Sequence, residues 1–203
     1  FYPYSTVGLA SQDLKYKGER SFTEIGDGNR IREFVSIHRG TEGGGFYTRI
    51  GDENSLLAYT HVAHDVQIGS HCVLSNGVTF AGHVTVGNWA VISAHCGIHQ
   101  YCRVGAHSMI GGYSVVVQDV LPYSLTVGHG RDLKLFDVNK VGLERRGYSP
   151  EAIQTLHKAF RFLREPKLNT SKAIDAMREE LEGTAELEAL IEFIAASSRG
   201  FVK

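Results

Sequence analysis

A period of six residues constrains this chain more than any other feature. From Ile50 the sequence divides without a break into IGDENS, LLAYTH, VAHDVQ, IGSHCV, LSNGVT, FAGHVT, VGNWAV, ISAHCG, IHQYCR, VGAHSM, IGGYSV and VVQDVL. All twelve hexads open with Ile, Leu, Val or Phe, and their fifth residues are nearly all small. An α-helix, with a period near 3.6, cannot hold a six-residue pattern in register. A coil of three short strands can, because each hexad forms one flat side and three hexads make a turn. The first position then points into the prism, and the fifth fills a tapering corner where only a small side chain fits. Earlier hexads begin at Ile25 and Ile31, and Ile37 opens a third. Val7 precedes Ile25 by 18 residues, one coil's worth. Two segments break the pattern, a polar one near Ser11 to Ser21 and a Gly-rich one from Thr41 to Tyr47. Both read as loops leaving the prism.

The register disposes of the cysteines. Cys72, Cys96 and Cys102 all occupy fifth positions, so they read as small buried core residues rather than metal or redox groups. Three reduced thiols also point to a cytoplasmic protein. A net charge of −1 gives no global bias toward nucleic acid or membrane. No apolar run approaches the roughly 18 residues a membrane helix needs, and no signal-peptide pattern opens the chain. The repeats are already under way where the sequence begins at Phe1, so a preceding N-terminal portion is expected to be absent from this sequence.

After Leu121-Pro122 the repeat stops. Ser149-Pro150 is a helix start, with proline at the first helical position. Ile153, Leu156, Phe160 and Leu163 then recur at helical spacing, and further helices are expected over Thr170 to Leu181 and Ala185 to Ser198. The chain divides into a parallel β-helix over 1–128 and a helical domain over 129–203. Such a domain would cover the open strand edge of the last coil.

Residues 18 apart stack on successive coils, roughly 4.8 Å from each other. One face thus carries VAHDVQ, FAGHVT, IHQYCR and VVQDVL. On it His64 and Asp65 lie below Gly82 and His83, which lie below His99 and Gln100. None of these is a first or fifth position. His99 alone is large and polar at a second position, which breaks a local rule without a packing gain. His64, followed by an acid and overlain by two polar coils, reads as a general base, since a nearby carboxylate orients an imidazole and raises its basicity. His71, His95, His107, Tyr59, Trp89 and Tyr113, all at fourth positions, read instead as a subunit interface or a solvated face.

The hexads together with QDLKYKGE (Gln12 to Glu19), IHRGT (Ile37 to Thr41), HVAHD (His61 to Asp65), FAGHV, IHQYC and LERRGY (Leu143 to Tyr148) resemble the UDP-N-acetylglucosamine O-acyltransferase family of lipid A biosynthesis. The resemblance covers essentially the whole chain. It implies a left-handed β-helix, a homotrimer with sites between prisms, and transfer of a (3-hydroxy)acyl group from acyl carrier protein to the glucosamine 3-hydroxyl, with no metal or prosthetic group. Carried over, His64 is the base, Asp65 orients it, and the Gly82 N–H stabilises the oxyanion. Asp13 and Lys15 contact substrate from a loop. His38, His61, His83, His99 and Gln100 line the sugar-nucleotide and acyl cleft. Asn139, Arg145 and Arg146 hold the nucleotide and its phosphates across a subunit boundary. Gly112 marks where acyl length is measured, and glycine there implies a longer chain. Val141 stands where the family often has an acid near the nucleotide, and the stretch His129 to Lys134 is longer than the family pattern and leaves acyl length open. Arg131, Lys134, Lys140, Arg145, Arg146, Lys158, Arg161 and Arg164 form a candidate patch for an acidic carrier protein, against the plainer reading of solvated helix faces.

Rival readings remain. Another hexapeptide acyltransferase, N-acylating or acetyl-CoA-dependent, is disfavoured by QDLKY and LERRGY. A zinc hydratase of the β-helical carbonic anhydrase kind needs two histidines five apart, and no pair here has that spacing. A non-catalytic structural trimer would not need His64.

Overall fold

A computed structural model describes residues 1–203. The hexads form three parallel sheets, each built from every third strand. The first stacks Thr6–Leu9, Ser36–His38, His61–Val62, Thr79–Phe80, Gly97–Ile98 and Val115–Val116. The second runs from Phe22–Ile25 through Tyr47–Ile50, Gln67–Ile68 and Thr85–Val86 to Arg103–Val104. The third begins at Arg30–Ile31 and continues through Ser55–Leu56, Val73–Leu74, Val91–Ile92 and Met109–Ile110. Register is the hexad register: Val62 pairs with Phe80, Phe80 with Ile98, and Ile98 with Val116. These first-position residues are buried, as are Leu56, Leu74, Ile92 and Ile110 on the third sheet. The three cysteines are buried at corners. Burial pushes the Cys72 and Cys102 thiols up to about 11, so they stay protonated and act as packing groups.

The fourth position of the hexad is where the chain turns the corner, and there the backbone is left-handed. Glu53, Tyr59, Asp65, His71, His83, Trp89, His95, Tyr101, His107 and Tyr113 all have φ between 55° and 64°. Each such residue costs about 1–2 kcal/mol relative to a right-handed backbone. Stacking along the corners offsets part of that. His71 lies flat on Trp89 at 4.0 Å, His95 on Tyr113 at 5.0 Å, and His83 on Tyr101 at 4.5 Å, and aromatic pairs contribute about 0.5–1.5 kcal/mol each. Gly77 takes the same corner conformation without a side chain.

The prism ends in a hairpin. Ser124–Val127 continues the third sheet in parallel, and Lys134–Val138 pairs back on it antiparallel. Residues beyond 128 therefore still complete a prism sheet, covering its edge. The helices are α1 (Lys140–Glu144), α2 (Pro150–Arg164), α3 (Thr170–Glu180) and α4 (Ala185–Ala195). The sequence gives no periodic signal for the five-residue α1, which is short enough to be set by its cap alone. Ser149, Asn169 and Thr184 cap α2, α3 and α4 by accepting from the N–H groups of Ala152, Lys172 and Leu187. Ile153, Leu156, Phe160 and Leu163 of α2 are buried together with Leu187, Leu190, Ile191 and Ile194 of α4. No helix is long and apolar enough to cross a membrane.

Candidate active site

Asp65 occupies a left-handed corner, φ 61°, which turns its carboxylate back beneath the loop that begins at Thr41. Its Oδ1 accepts from the Thr41 N–H at 2.7 Å, and its Oδ2 from the Thr41 hydroxyl at 2.6 Å. Its own N–H donates to Thr48 Oγ1 at 2.8 Å. Gly44 closes over it so tightly that a Cβ there would overlap the carboxylate. Burial raises the Asp65 carboxyl, but hydrogen bonds from His64 and Thr41, with the nearby His83, outweigh it and leave the group below its ordinary range. Asp65 is thus held ionised although its side chain is only 1% exposed.

His64 Nδ1 lies 2.8 Å from Asp65 Oδ2. The carboxylate can only accept, so Nδ1 carries the proton and the lone pair of a neutral His64 is on Nε2. One coil above, the Gly82 backbone passes across the ring, and a Cβ on Gly82 would collide with it. The Gly82 N–H donates to no protein acceptor, while its carbonyl takes the Tyr101 N–H and the His64 carbonyl takes the His83 N–H. An amide with no acceptor in the chain thus lies beside an imidazole whose lone pair is on Nε2, a pairing that can serve proton transfer and oxyanion binding together.

Around this centre the predicted residues divide. An open groove is lined by His61, His64 and His99 and by an apolar floor that includes Phe80, Ile98 and Val117, with Gln12 at its edge. His61 Nδ1 lies 2.7 Å from Ser36 Oγ, and His61 meets the buried His38 edge to face at 5.0 Å. Burial, and then a nearby histidine charge (His64 for His38, His38 for His61), lowers both below the ordinary imidazole value. On the other side of Asp65, His83 approaches Oδ2 at 3.7 Å and packs edge-on to His64. Burial dominates its lowered value, against the opposing pull of Asp65. His83 and Tyr101 form one wall of a second recess whose opposite wall is the loop bearing Asp13 and Lys15. His99 and Gln100 are exposed, and His99 Nδ1 sits 3.2 Å from the Gln100 carbonyl.

Gly112, Asn139, Arg145 and Arg146 do not join this centre within one chain. Gly112 follows the third sheet, and its corner is one hexad out of phase with that of His64. Arg146 packs over Trp89 at 5.0 Å, on the corner after the second sheet, and donates to the Gly142 carbonyl at 2.9 Å. Asn139 is buried, caps α1 through Gly142 and donates to the His107 carbonyl at 2.9 Å. Arg145 is exposed at the end of α1. Sequence reasoning did not single out Thr41 and Thr48 as partners of Asp65. Thr41 stands within the IHRGT motif, but nothing local says that its loop folds back onto a carboxylate 24 residues later.

His64, Asp65 and His83 bring three donor atoms within 4.8 Å of one another, a grouping that could hold a metal ion. Asp65 Oδ2 already accepts from the Thr41 hydroxyl and meets His64, so a metal on that oxygen would have to displace a bond, whereas Oδ1 accepts only from the Thr41 N–H and keeps a lone pair.

The prism of hexads with its histidine–carboxylate pair defines a hexapeptide-repeat transferase, and residues 47–82 match the family described as bacterial transferase hexapeptide (six repeats). Residues 119–202 match the second domain of Udp N-acetylglucosamine O-acyltransferase. Acyl-[acyl-carrier-protein]–UDP-N-acetylglucosamine O-acyltransferases from Trichlorobacter lovleyi and Thermodesulfovibrio yellowstonii are 51% and 46% identical over all of this chain and 78% of their own length. The solved UDP-N-acetylglucosamine acyltransferase of Bacteroides fragilis superposes with a TM-score of 0.96 at 39% identity, covering 100% of this chain and 78% of that one. One from Acinetobacter baumannii gives 0.94, also at 39%, covering 98% of this chain and 77% of that one. The chain belongs to the acyl-[acyl-carrier-protein]–UDP-N-acetylglucosamine O-acyltransferase family, and its fold is the left-handed parallel β-helix with a helical C-terminal part.

Proposed function

We propose that this chain transfers a (3-hydroxy)acyl group from acyl carrier protein to the 3-hydroxyl of the glucosamine of UDP-N-acetylglucosamine, the first step of lipid A biosynthesis, with His64 as general base. The observation that supports the chemistry is the His64–Asp65 pair with the Gly82 backbone, whose N–H has no acceptor within the chain, lying against the imidazole. His64 Nε2 takes the sugar hydroxyl proton as that oxygen attacks the thioester carbonyl. The oxyanion accepts from the Gly82 N–H, and Asp65 steadies the imidazolium. Collapse breaks the C–S bond, and the departing thiolate takes the proton from His64, leaving an ester and a free carrier thiol.

The groove beside His64 would hold the acyl donor, with His61 and His99 along it and the buried His38 packed behind His61. The recess of His83, Asp13 and Lys15 would hold the sugar. Arg145 and Arg146 would bind the nucleotide phosphates, with Asn139 fixing the helix that presents them. Because these arginines and Gly112 stand on different corners from His64, a complete site calls for neighbouring prisms, and we read the working unit as a homotrimer. The exposed column of Tyr4, Phe34 and Tyr59, stacked at 5.1 and 4.9 Å, supplies an apolar edge suited to such packing. The basic residues from Arg131 to Arg164 would dock the acidic carrier, and the protein would work in the cytoplasm. Replacing His64 with alanine tests the reading. Transfer from acyl carrier protein to UDP-N-acetylglucosamine should fall by about 10²–10⁴-fold with the assembly unchanged. Full activity of that variant, or a preference for coenzyme A as donor, would refute it.

A further inference from the structure

After α4 the chain returns to the prism. The Asp119 N–H donates to the Gly200 carbonyl at 3.0 Å, the Val202 N–H donates to the Asp119 carbonyl at 2.9 Å, and Phe201 forms a parallel bridge to Asp119. The Asp119 side chain, 2% exposed, accepts from the Arg103 N–H at 2.8 Å, Arg103 Nε at 3.0 Å and the Ser197 hydroxyl at 2.9 Å. Arg103 in turn donates to the Phe193 carbonyl at 2.6 Å. The chain is therefore pinned on both sides of Arg199.

That pinning delivers the Arg199 guanidinium to the rim of the His64 groove. Its Nη2 lies 3.4 Å from both the Val117 carbonyl and His99 Nδ1, and Val117 and His99 both line the groove. The groove lining itself contains no lysine, arginine or carboxylate. The Arg199 guanidinium also packs against the Cys102 thiol, and its buried Nε has no oxygen or nitrogen partner, so the side chain is held inward, where a merely solvated tail arginine would turn out.

His99 Nδ1 cannot satisfy both of its neighbours. A guanidinium only donates, and the Gln100 carbonyl, 3.2 Å away, only accepts. A donor held beside Nδ1 favours the tautomer that keeps its lone pair there. We propose that Arg199 is a positioning residue of the site, holding the His99 ring proton on Nε2, so that His99 offers a directed donor to an oxygen of a substrate bound in the groove. The substrate part of this rests on the acyltransfer reading above; the tautomer part does not.

The test uses the full chain with ¹⁵N,¹³C-histidine, the His99 signals being assigned with His99→Gln. The wild type should show the Nε2–H tautomer without substrate, Arg199→Lys should keep it, and Arg199→Met should move His99 to the Nδ1–H form donating to Gln100. In the transfer assay Arg199→Met should raise one substrate KM about tenfold, the worth of one hydrogen bond, while kcat changes less than about threefold. A rise for the carrier-bound donor places the oxygen on the acyl-carrier arm, and a rise for the sugar nucleotide places it on the acceptor. An Nδ1–H tautomer in the wild type, or an Nε2–H tautomer that persists in Arg199→Met with unchanged melting, overturns the proposal. Because the tautomer is read without substrate, it is decided even if the acyltransfer reading fails.

Discussion

His64 and Asp65 are sequence neighbours, yet their side chains meet at 2.8 Å because Asp65, unlike His64, takes the left-handed corner conformation. On a flat strand successive side chains point to opposite faces. The corner cancels that alternation and makes an adjacent pair into a base and its orienting acid. If the two act as a unit, Asp65→Asn should lower kcat by at least about tenfold, and Asp65→Ala combined with His64→Ala should be no slower than His64→Ala alone. Steady-state kinetics on the three variants check this. Additive losses would separate the two residues.

Gly82 bears on the same ring from above. Its backbone is not in the left-handed region, so alanine costs no conformational strain there, but the added methyl would collide with His64. Gly82→Ala should therefore melt close to the wild type and lose about 10²-fold in kcat, the scale of a misplacement near 1 Å. A variant that keeps its rate would show that His64 has room to move and that its present orientation is not the reactive one.

The prism and the place of His64 were both legible in the hexads. A strict period of six fixes which residues share a sheet, and the observed pairing of Val62, Phe80, Ile98 and Val116 follows from it directly. Two things were not legible. The left-handed conformation of fourth positions is a property of the corner and leaves no distinct residue type, since His, Tyr, Trp, Asp and Glu all accept it. The burial of Asp65 comes from Thr41 and Gly44, in a segment that interrupts the repeat and so has no register to be read from. Arg199 escaped for a similar reason. It lies 100 residues from His99, in a helical part whose return to the prism no periodicity announces.

His107 predicts how the fold responds to acid. Burial first, then the Arg146 cation, push its imidazole down to about 4. Its value is lowered on folding, so the fold prefers the neutral ring. The stability it contributes is complete above the unfolded value near 6.5 and is lost as pH falls from there toward 4. His38, His61 and His83 are lowered as well and act in the same direction. The melting temperature should fall between pH 7 and pH 4.5, and His107→Gln should fall less steeply over that interval whatever its absolute stability. An equal slope in both proteins would mean that His107 is not held neutral.

Gly112 offers a last, independent reading of the groove system. A Cβ placed there meets only the Ala94 carbonyl at 3.5 Å and Ser93 Cβ at 3.8 Å, ordinary contacts, and its φ is not positive. A side chain can thus be added without strain, in contrast to Gly82. If this corner of one prism ends the acyl channel whose chemistry occurs at His64 of a neighbour, a methionine at 112 occupies the space of the last few methylenes. Gly112→Met should then keep its fold and its rate with short donors while discriminating against long ones. Each methylene that can no longer be buried weakens binding by about 0.8 kcal/mol, so a truncation by four should cost more than a hundredfold in kcat/KM. Mass spectrometry of the products from a mixed pool of acyl carrier proteins reads the shift directly. An unchanged distribution would place the end of the channel elsewhere and would remove the acyl-length argument for a site shared between prisms.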